Sequence, residues 1–171
     1  MCIILIPFKK NIIINIFLLE FLADGANTTV IGDTCCPNDI FQGSIGDCWL
    51  LSAIACLADY DWAVKRLFRK TSHLYDRPFG GGGSVIKSNS VNDDDTTTIV
   101  CNKYIVTLWD LPTWKEVDII IDERLPIQLK NSECLLGAKP SRDGKLWVPY
   151  LEKAIACHCG GYDKLVGASY L

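Results

Sequence analysis

Apolar and polar positions divide the chain into stretches of different period. From Trp49 to Leu57 the residues are apolar almost without interruption and helical in composition, the pattern of a helix buried on every side. Asp59-Tyr60-Asp61 breaks that run. Asp61 is placed to cap a second helix over Trp62 to Lys70, with Trp62, Leu67 and Phe68 turned inward. β-branched and aromatic residues take over at Tyr104-Ile105-Val106-Thr107-Leu108-Trp109. A turn at Asp110-Leu111-Pro112 and a return run from Glu116 to Ile121 predict an antiparallel pair. Residues 130–145 read as loop. Leu146 to Cys159 resumes a helical period, with Trp147, Leu151, Ala154 and Ile155 inward and Glu152-Lys153 outward. Pro149 is acceptable there only in the first turn, and Gly160-Gly161 supplies the stop.

Two stretches stand apart from this pattern. Residues 1–23 are strongly apolar but are broken by Pro7, Lys9-Lys10, Asn15 and Glu20. Asn11 to Leu19, the longest charge-free piece, is too short to span a membrane as a helix. Three readings of it stay open: the apolar region of a secretory signal, a core-packing segment, or a misassigned start of the reading frame. Asp24 to Pro37 is a polar, turn-rich linker. The second stretch runs from Gly80-Gly81-Gly82-Gly83 through the Ser/Asn/Asp/Thr-rich residues 88–98. It lacks the Gly-Lys-Ser/Thr end of a phosphate loop and reads as a surface insertion.

A length of 171 residues suits one domain with a real core, and a net charge of −3 carries no basic field for nucleic acid. Nine cysteines, odd in number and irregular in spacing, fit reduced thiols better than a disulfide scaffold. The setting this implies is intracellular, cytoplasmic by default, with the N-terminal signal or anchor left open. Cys35-Cys36 reads as two free thiols, because neighbours bridge only with strain. Cys157-His158-Cys159 offers at most two partial metal ligands, since alternate helical residues diverge.

The candidate chemistry lies in Gln42-Gly43-Ser44-Ile45-Gly46-Asp47-Cys48-Trp49. Two glycines loosen the backbone, and Cys48 falls at the opening turn of the predicted helix. There the dipole and the first-turn N–H groups favour a thiolate, the form that acts as nucleophile. Gln42 can offer an amide to the oxyanion that such an attack creates.

This motif resembles the active-site segment of the calpains, papain-like cysteine endopeptidases. Lys115 to Pro126, ending in Asp122-Glu123-Arg124-Leu125-Pro126, is similar to the family's strand that closes in Asp-Asp-x-Leu-Pro. Leu146-Trp147-Val148-Pro149-Tyr150-Leu151-Glu152-Lys153-Ala154, followed by Gly160-Gly161-Tyr162-Asp163, resembles the family's Trp-x-x-Leu-Leu-Glu-Lys-Ala helix and its continuation. The wording leans towards atypical calpains. The resemblance implies an α+β fold: the helical, nucleophile-bearing half of a papain-like core with a small antiparallel sheet. Residues 28–171 would form that catalytic subdomain, interrupted by the insertion at about 80–98, after an apolar segment at 1–27.

By the same resemblance Cys48 is the nucleophile, Gln42 helps form the oxyanion hole, and Trp49 packs behind the site. The substrates would be proteins, cleaved through a thioester. The family's catalytic His-Ala-Tyr and Asn-Pro-Trp-Gly segments do not occur in these residues. His73 and His158 match neither, so the expected partner is a second half of the core, and the chain alone is expected to be inactive. The alternative is a catalytically dead calpain-like interaction module. Calcium is implied as the family's cofactor, with Asp39 as a ligand, but Lys145 stands where a second acidic ligand is expected.

Overall fold

The computed structural model describes residues 29–71, 74, 103–128 and 131–167, and the backbone alone at 15–16, 128 and 131–134. The rest of the N-terminal apolar segment, His73 and the insertion at 80–98 lie outside the described residues. In chain order the elements are β1 (Asn15–Ile16), a 3₁₀ turn at Pro37–Asp39, α1 (Cys48–Ala58) and α2 (Asp61–Leu67). There follow β2 (Lys103–Asp110), β3 (Lys115–Asp122), β4 (Leu125–Gln128) and β5 (Asn131–Leu135). α3 (Trp147–Cys159) and a 3₁₀ turn at Tyr162–Lys164 complete the series. The class is α+β, as expected.

β2 and β3 form an antiparallel ribbon in continuous register from Lys103↔Asp122 to Asp110↔Lys115. β4 lies between β1 and β5 in a separate antiparallel sheet, with a register shift at Ile127/Gln128. The ribbon matches the predicted pair. β4 and β5 correct the reading of 130–145 as loop throughout, because Asn131–Leu135 pairs with β4. Neither segment alternates clearly, and the pairing is set by tertiary contact rather than by local pattern.

α3 is the core element. Trp147, Val148, Pro149, Tyr150, Leu151, Ala154 and Ala156 are all buried. Tyr150 stacks on Tyr104 of β2 with ring centroids 4.8 Å apart. Pro149 sits in the first turn, where its missing N–H costs nothing, and Gly160 ends the helix at φ 93, a conformation glycine adopts freely. Thr71 fastens the chain after α2 to β2: its hydroxyl donates to the Ile105 carbonyl (3.1 Å) and accepts the Ile105 N–H (2.8 Å).

Side-chain directions depart from expectation at four places. α1 buries one face, Leu50, Leu51, Ile54 and Ala58, and exposes Trp49, Ser52, Ala53 and Cys56. In α2, Tyr60 rather than Asp61 occupies the cap position, and Trp62 is 66% exposed while Phe68 fills the core. Asp61 instead accepts the Cys35 N–H at 2.7 Å and pairs with Lys65. Glu152, expected outward, is only 1% exposed, and the Lys153 ammonium is largely covered while donating to the Asp122 and Arg124 carbonyls.

The segment before α1 is fastened backbone to backbone. The N–H groups of Ser44 (2.8 Å) and Ile45 (3.2 Å) both donate to the Leu136 carbonyl, and the Lys139 N–H donates to the Phe41 carbonyl at 2.9 Å. At this seam a Cβ on Gly43 would overlap the carbonyl oxygen of Gly137. Only glycine permits the approach. Gly43→Ala is therefore expected to cost about 1–3 kcal/mol or more, because the obstruction is rigid backbone rather than a movable side chain. A urea titration of the two proteins checks this; equal midpoints would show that the seam can open without cost.

Candidate active site

Asp47 occupies the N-cap position of α1, and its carbonyl accepts the N–H groups of Leu50 (2.8 Å) and Leu51 (3.1 Å). Cys48 is the first helical residue and is exposed. Its carbonyl accepts the Ser52 hydroxyl at 2.7 Å. The N–H groups of a first helical turn have no intrahelical acceptor and carry the positive end of the dipole. A thiol here combines access with an electropositive setting.

Gln42 is also exposed, and its Nε2 donates to the Ile45 carbonyl at 3.0 Å. A primary amide carries two N–H donors, so this bond fixes the side chain against its own turn and leaves a second donor. Trp49 does not pack away behind the turn, as expected of it. It is 51% exposed, and its indole N–H reaches the Leu165 carbonyl at 2.8 Å. The same C-terminal segment donates the Gly167 N–H to the Gly46 carbonyl at 2.8 Å. Residues 165–167 thus brace the turn from one side.

Asp39 is buried, and both its oxygens are taken. The Lys145 ammonium lies 3.0 Å from Oδ1 and 3.3 Å from Oδ2. The Trp147 indole N–H (3.0 Å) and the Cys36 N–H (3.1 Å) donate to Oδ2, and the Cys36 thiol donates to Oδ1. Lys145 also reaches Asp143 at 3.0 Å. Burial alone would lower the Lys145 ammonium, but its hydrogen bonds to Asp39 and Asp143 outweigh that and hold it above its ordinary value.

The remaining candidates are separate from this site. His158 pairs through Nε2 with Asp110 at 3.1 Å. Asp110 is held below the usual carboxylate range chiefly by the Thr113 hydroxyl, with His158 adding to it. The six cysteines whose side chains are described are free thiols, the vicinal Cys35 and Cys36 included. Cys35 is buried, and burial pushes its thiol up to about 12, with Asp61 adding to the effect. Among the described residues no group of three or more His, Cys, Asp or Glu side chains could hold a metal ion. Nor is any helix there long and apolar enough to cross a membrane.

Sequence reasoning missed Glu152. Its Oε2 accepts the Ala138 N–H at 2.6 Å, and its carboxyl stands against that of Asp47, the residue before the candidate nucleophile. A carboxyl one residue away from Leu151 in a helix whose other faces also read as apolar was the available signal.

The description "Calpain family cysteine protease" matches residues 20–171. The calpain-1 catalytic subunit of Homo sapiens is 31% identical over 150 residues, covering 88% of this chain and 16% of that protein. The calpain-2 catalytic subunit of Gallus gallus is 30% identical, and calpain-9 of Mus musculus 31%, with the same coverage. The chain thus spans about a sixth of the length of these relatives (16%). A match over most of its length, including the Gln42–Trp49 turn and α3, shows that the chain belongs to the calpain family of cysteine proteases.

Proposed function

We propose that this chain is the nucleophile-bearing half of a calpain-type endopeptidase core. The observation that carries the reading is the exposed Cys48 thiol on the first residue of α1. In this reading the Cys48 sulfur bonds to a peptide carbonyl carbon, and the carbonyl electrons move onto oxygen. The Gln42 amide and the Cys48 N–H hold that oxyanion. The carbon–nitrogen bond then breaks, and the amine leaves with the proton that the thiol gave to a base. Water cleaves the thioester, releasing the carboxylic acid and restoring the thiol.

The base comes from outside these residues. The family's His and Asn segments are not among them. His158 sits at the end of α3 with Nε2 committed to Asp110. The purified chain is therefore expected to leave casein uncut while Cys48 remains open to alkylation by iodoacetamide. Cleavage that is sensitive to thiol inhibitors and abolished by Cys48→Ala would overturn the need for an outside base. When the His and Asn segments are supplied, Cys48→Ala should abolish cleavage. Gln42→Ala should then lower kcat by on the order of 10²–10³, the usual effect of losing one oxyanion donor. Failure of the supplied segments to produce any Cys48-dependent cleavage would favour a protein-binding module instead.

Relatives in this family imply calcium regulation, but the residues around Asp39 do not fit the ion. Calcium requires several oxygen ligands. Here an ammonium lies against both Asp39 oxygens, and position 145 supplies a cation rather than a carboxylate. Lys145 thus serves as a covalently attached cation that joins the segment before Gln42 to the start of α3. Calcium at millimolar concentration is expected to leave the melting temperature of the chain unchanged. Lys145→Glu should gain terbium binding, read as luminescence sensitised by Trp147, whose indole touches Asp39. A calcium-dependent rise in the melting temperature of the unaltered chain, lost in Asp39→Asn, would show that the ion displaces Lys145.

A further inference from the structure

Behind Cys48 lie two buried acidic side chains, and among the described residues no cation pairs with them. Asp47 and Glu152 are each 1% exposed. Glu152 Oε2 accepts the Ala138 N–H at 2.6 Å. Among the described residues, Glu152 Oε1 and both carboxylate oxygens of Asp47 have no hydrogen-bond donor. The groups acting on Glu152 are the Asp47 carboxyl and the Ala138 N–H. The Tyr162 hydroxyl is buried nearby, under the influence of Glu152, Asp47 and the Cys157 thiol, but it too lacks a partner. Two carboxylates in this space would be two anions with the Ala138 N–H as their one established donor among the described residues. In a dry interior that arrangement cannot hold both charges.

We propose that Glu152 carries a proton in the native protein and donates it to Asp47, so that the two carboxyls share one proton and Glu152 is a positioning residue for Cys48. A protonated carboxyl is both donor and acceptor. Glu152 can then accept from Ala138 through one oxygen and donate to Asp47 through the other. The single negative charge left in the pair lies at the N-terminus of α1, where the helix dipole favours it. The bond links α3 to the residue that immediately precedes Cys48, while Ala138 follows the Leu136–Gly137 seam that carries Ser44 and Ile45. Burial in the first place, and Asp47 in the second, push the Glu152 carboxyl well above its ordinary range, with the Ala138 N–H opposing them.

The sign of the linkage follows from that direction. Glu152 is ionised in the unfolded chain above about pH 4.5 but retains its proton in the folded one, so stability falls as pH rises through that window. The role assigned to Cys48 rests on the endopeptidase reading; the proton does not, and it can be measured without peptidase activity. Denaturant titrations of the unaltered chain and Glu152→Gln should differ in pH slope. The unaltered chain should gain about a tenfold rise in unfolding constant per pH unit that the glutamine form lacks.

Glu152→Gln retains a donor towards Asp47 and should match the unaltered midpoint near pH 4.5 and exceed it at pH 7, whereas Glu152→Ala should lower the midpoint at pH 4.5. In carbon-13 NMR of glutamate-labelled unaltered chain, one carboxyl resonance should stay in its protonated position at pH 7 and disappear in Glu152→Gln. The pH profile of Cys48 alkylation should carry a step at the titration of the pair, absent from the glutamine form. Glutamate resonances that are all ionised at pH 7, or equal pH slopes in the two proteins, would overturn the shared proton. A shared proton with identical alkylation profiles would overturn the positioning role alone.

Discussion

The turn that presents Cys48 depends on one backbone seam. Ser44 and Ile45 both place their N–H groups on the Leu136 carbonyl, at 2.8 and 3.2 Å. Peptide groups brought this close cannot be left without partners once water is excluded. The seam satisfies them and at the same time sets the distance between the turn and the strand behind it. Gly43 is the consequence, since any Cβ there would enter the Gly137 peptide. Gly137 is constrained in turn, because a Cβ on it would meet the Glu152 carboxyl. The two glycines and the buried acid form one stacked contact from the turn through the strand segment to α3. The position of Cys48 is thus fixed by packing between the turn, the 136–138 segment and α3, not by the helix that bears it alone.

This explains why the site was partly legible in the chain. The helix start at Cys48, the Pro149 first turn, the Gly160 stop and the β2–β3 ribbon follow from local rules, and the structure has them where those rules place them. Burial of the remaining faces was not local. Trp49 and Trp62 carry the sequence signature of core residues and are half or more exposed. Glu152 carries the signature of a surface residue and is enclosed. An indole can lie at a surface when its N–H finds a carbonyl, as Trp49 does at Leu165, and a carboxyl can be enclosed when a backbone N–H meets it, as Ala138 does. Both outcomes depend on segments more than ten residues away in sequence, so a periodicity argument has no access to them. β4 was missed for the same reason, since it pairs with the remote Asn15–Ile16, whereas β5 pairs with the neighbouring β4 and was missed because Asn131–Leu135 shows no clear alternation.

Carboxyls withdrawn from solvent to different degrees recur in the structure, and each is compensated differently. Asp122 is matched by Arg124 and Lys153, which overcome the effect of burial and hold it below the ordinary carboxylate range. Asp39 has Lys145, reinforced by Trp147 and Cys36. A pair of opposite charges of this kind contributes little net stability once desolvation is counted, but removing either member leaves a buried charge unopposed. The value of Lys145 is therefore geometric. It fixes the approach of the 36–41 segment to the first turn of α3.

Among the described residues the Asp47–Glu152 pair has no such cation, and the proposed shared proton would make it respond differently to its surroundings. A lysine–carboxylate pair keeps its charges across the physiological range, because the ammonium and the carboxylate titrate far to either side of it. A carboxyl pair compensated by a proton has its titration within reach of neutral pH, since the proton leaves when the solution becomes basic enough to draw it out. If Glu152 and Asp47 share a proton, the contact immediately behind Cys48 is conditional on pH. Loss of the shared proton would set two like charges against each other beneath the first turn of α1. The electropositive end of that helix would then face a second negative charge from the protein itself.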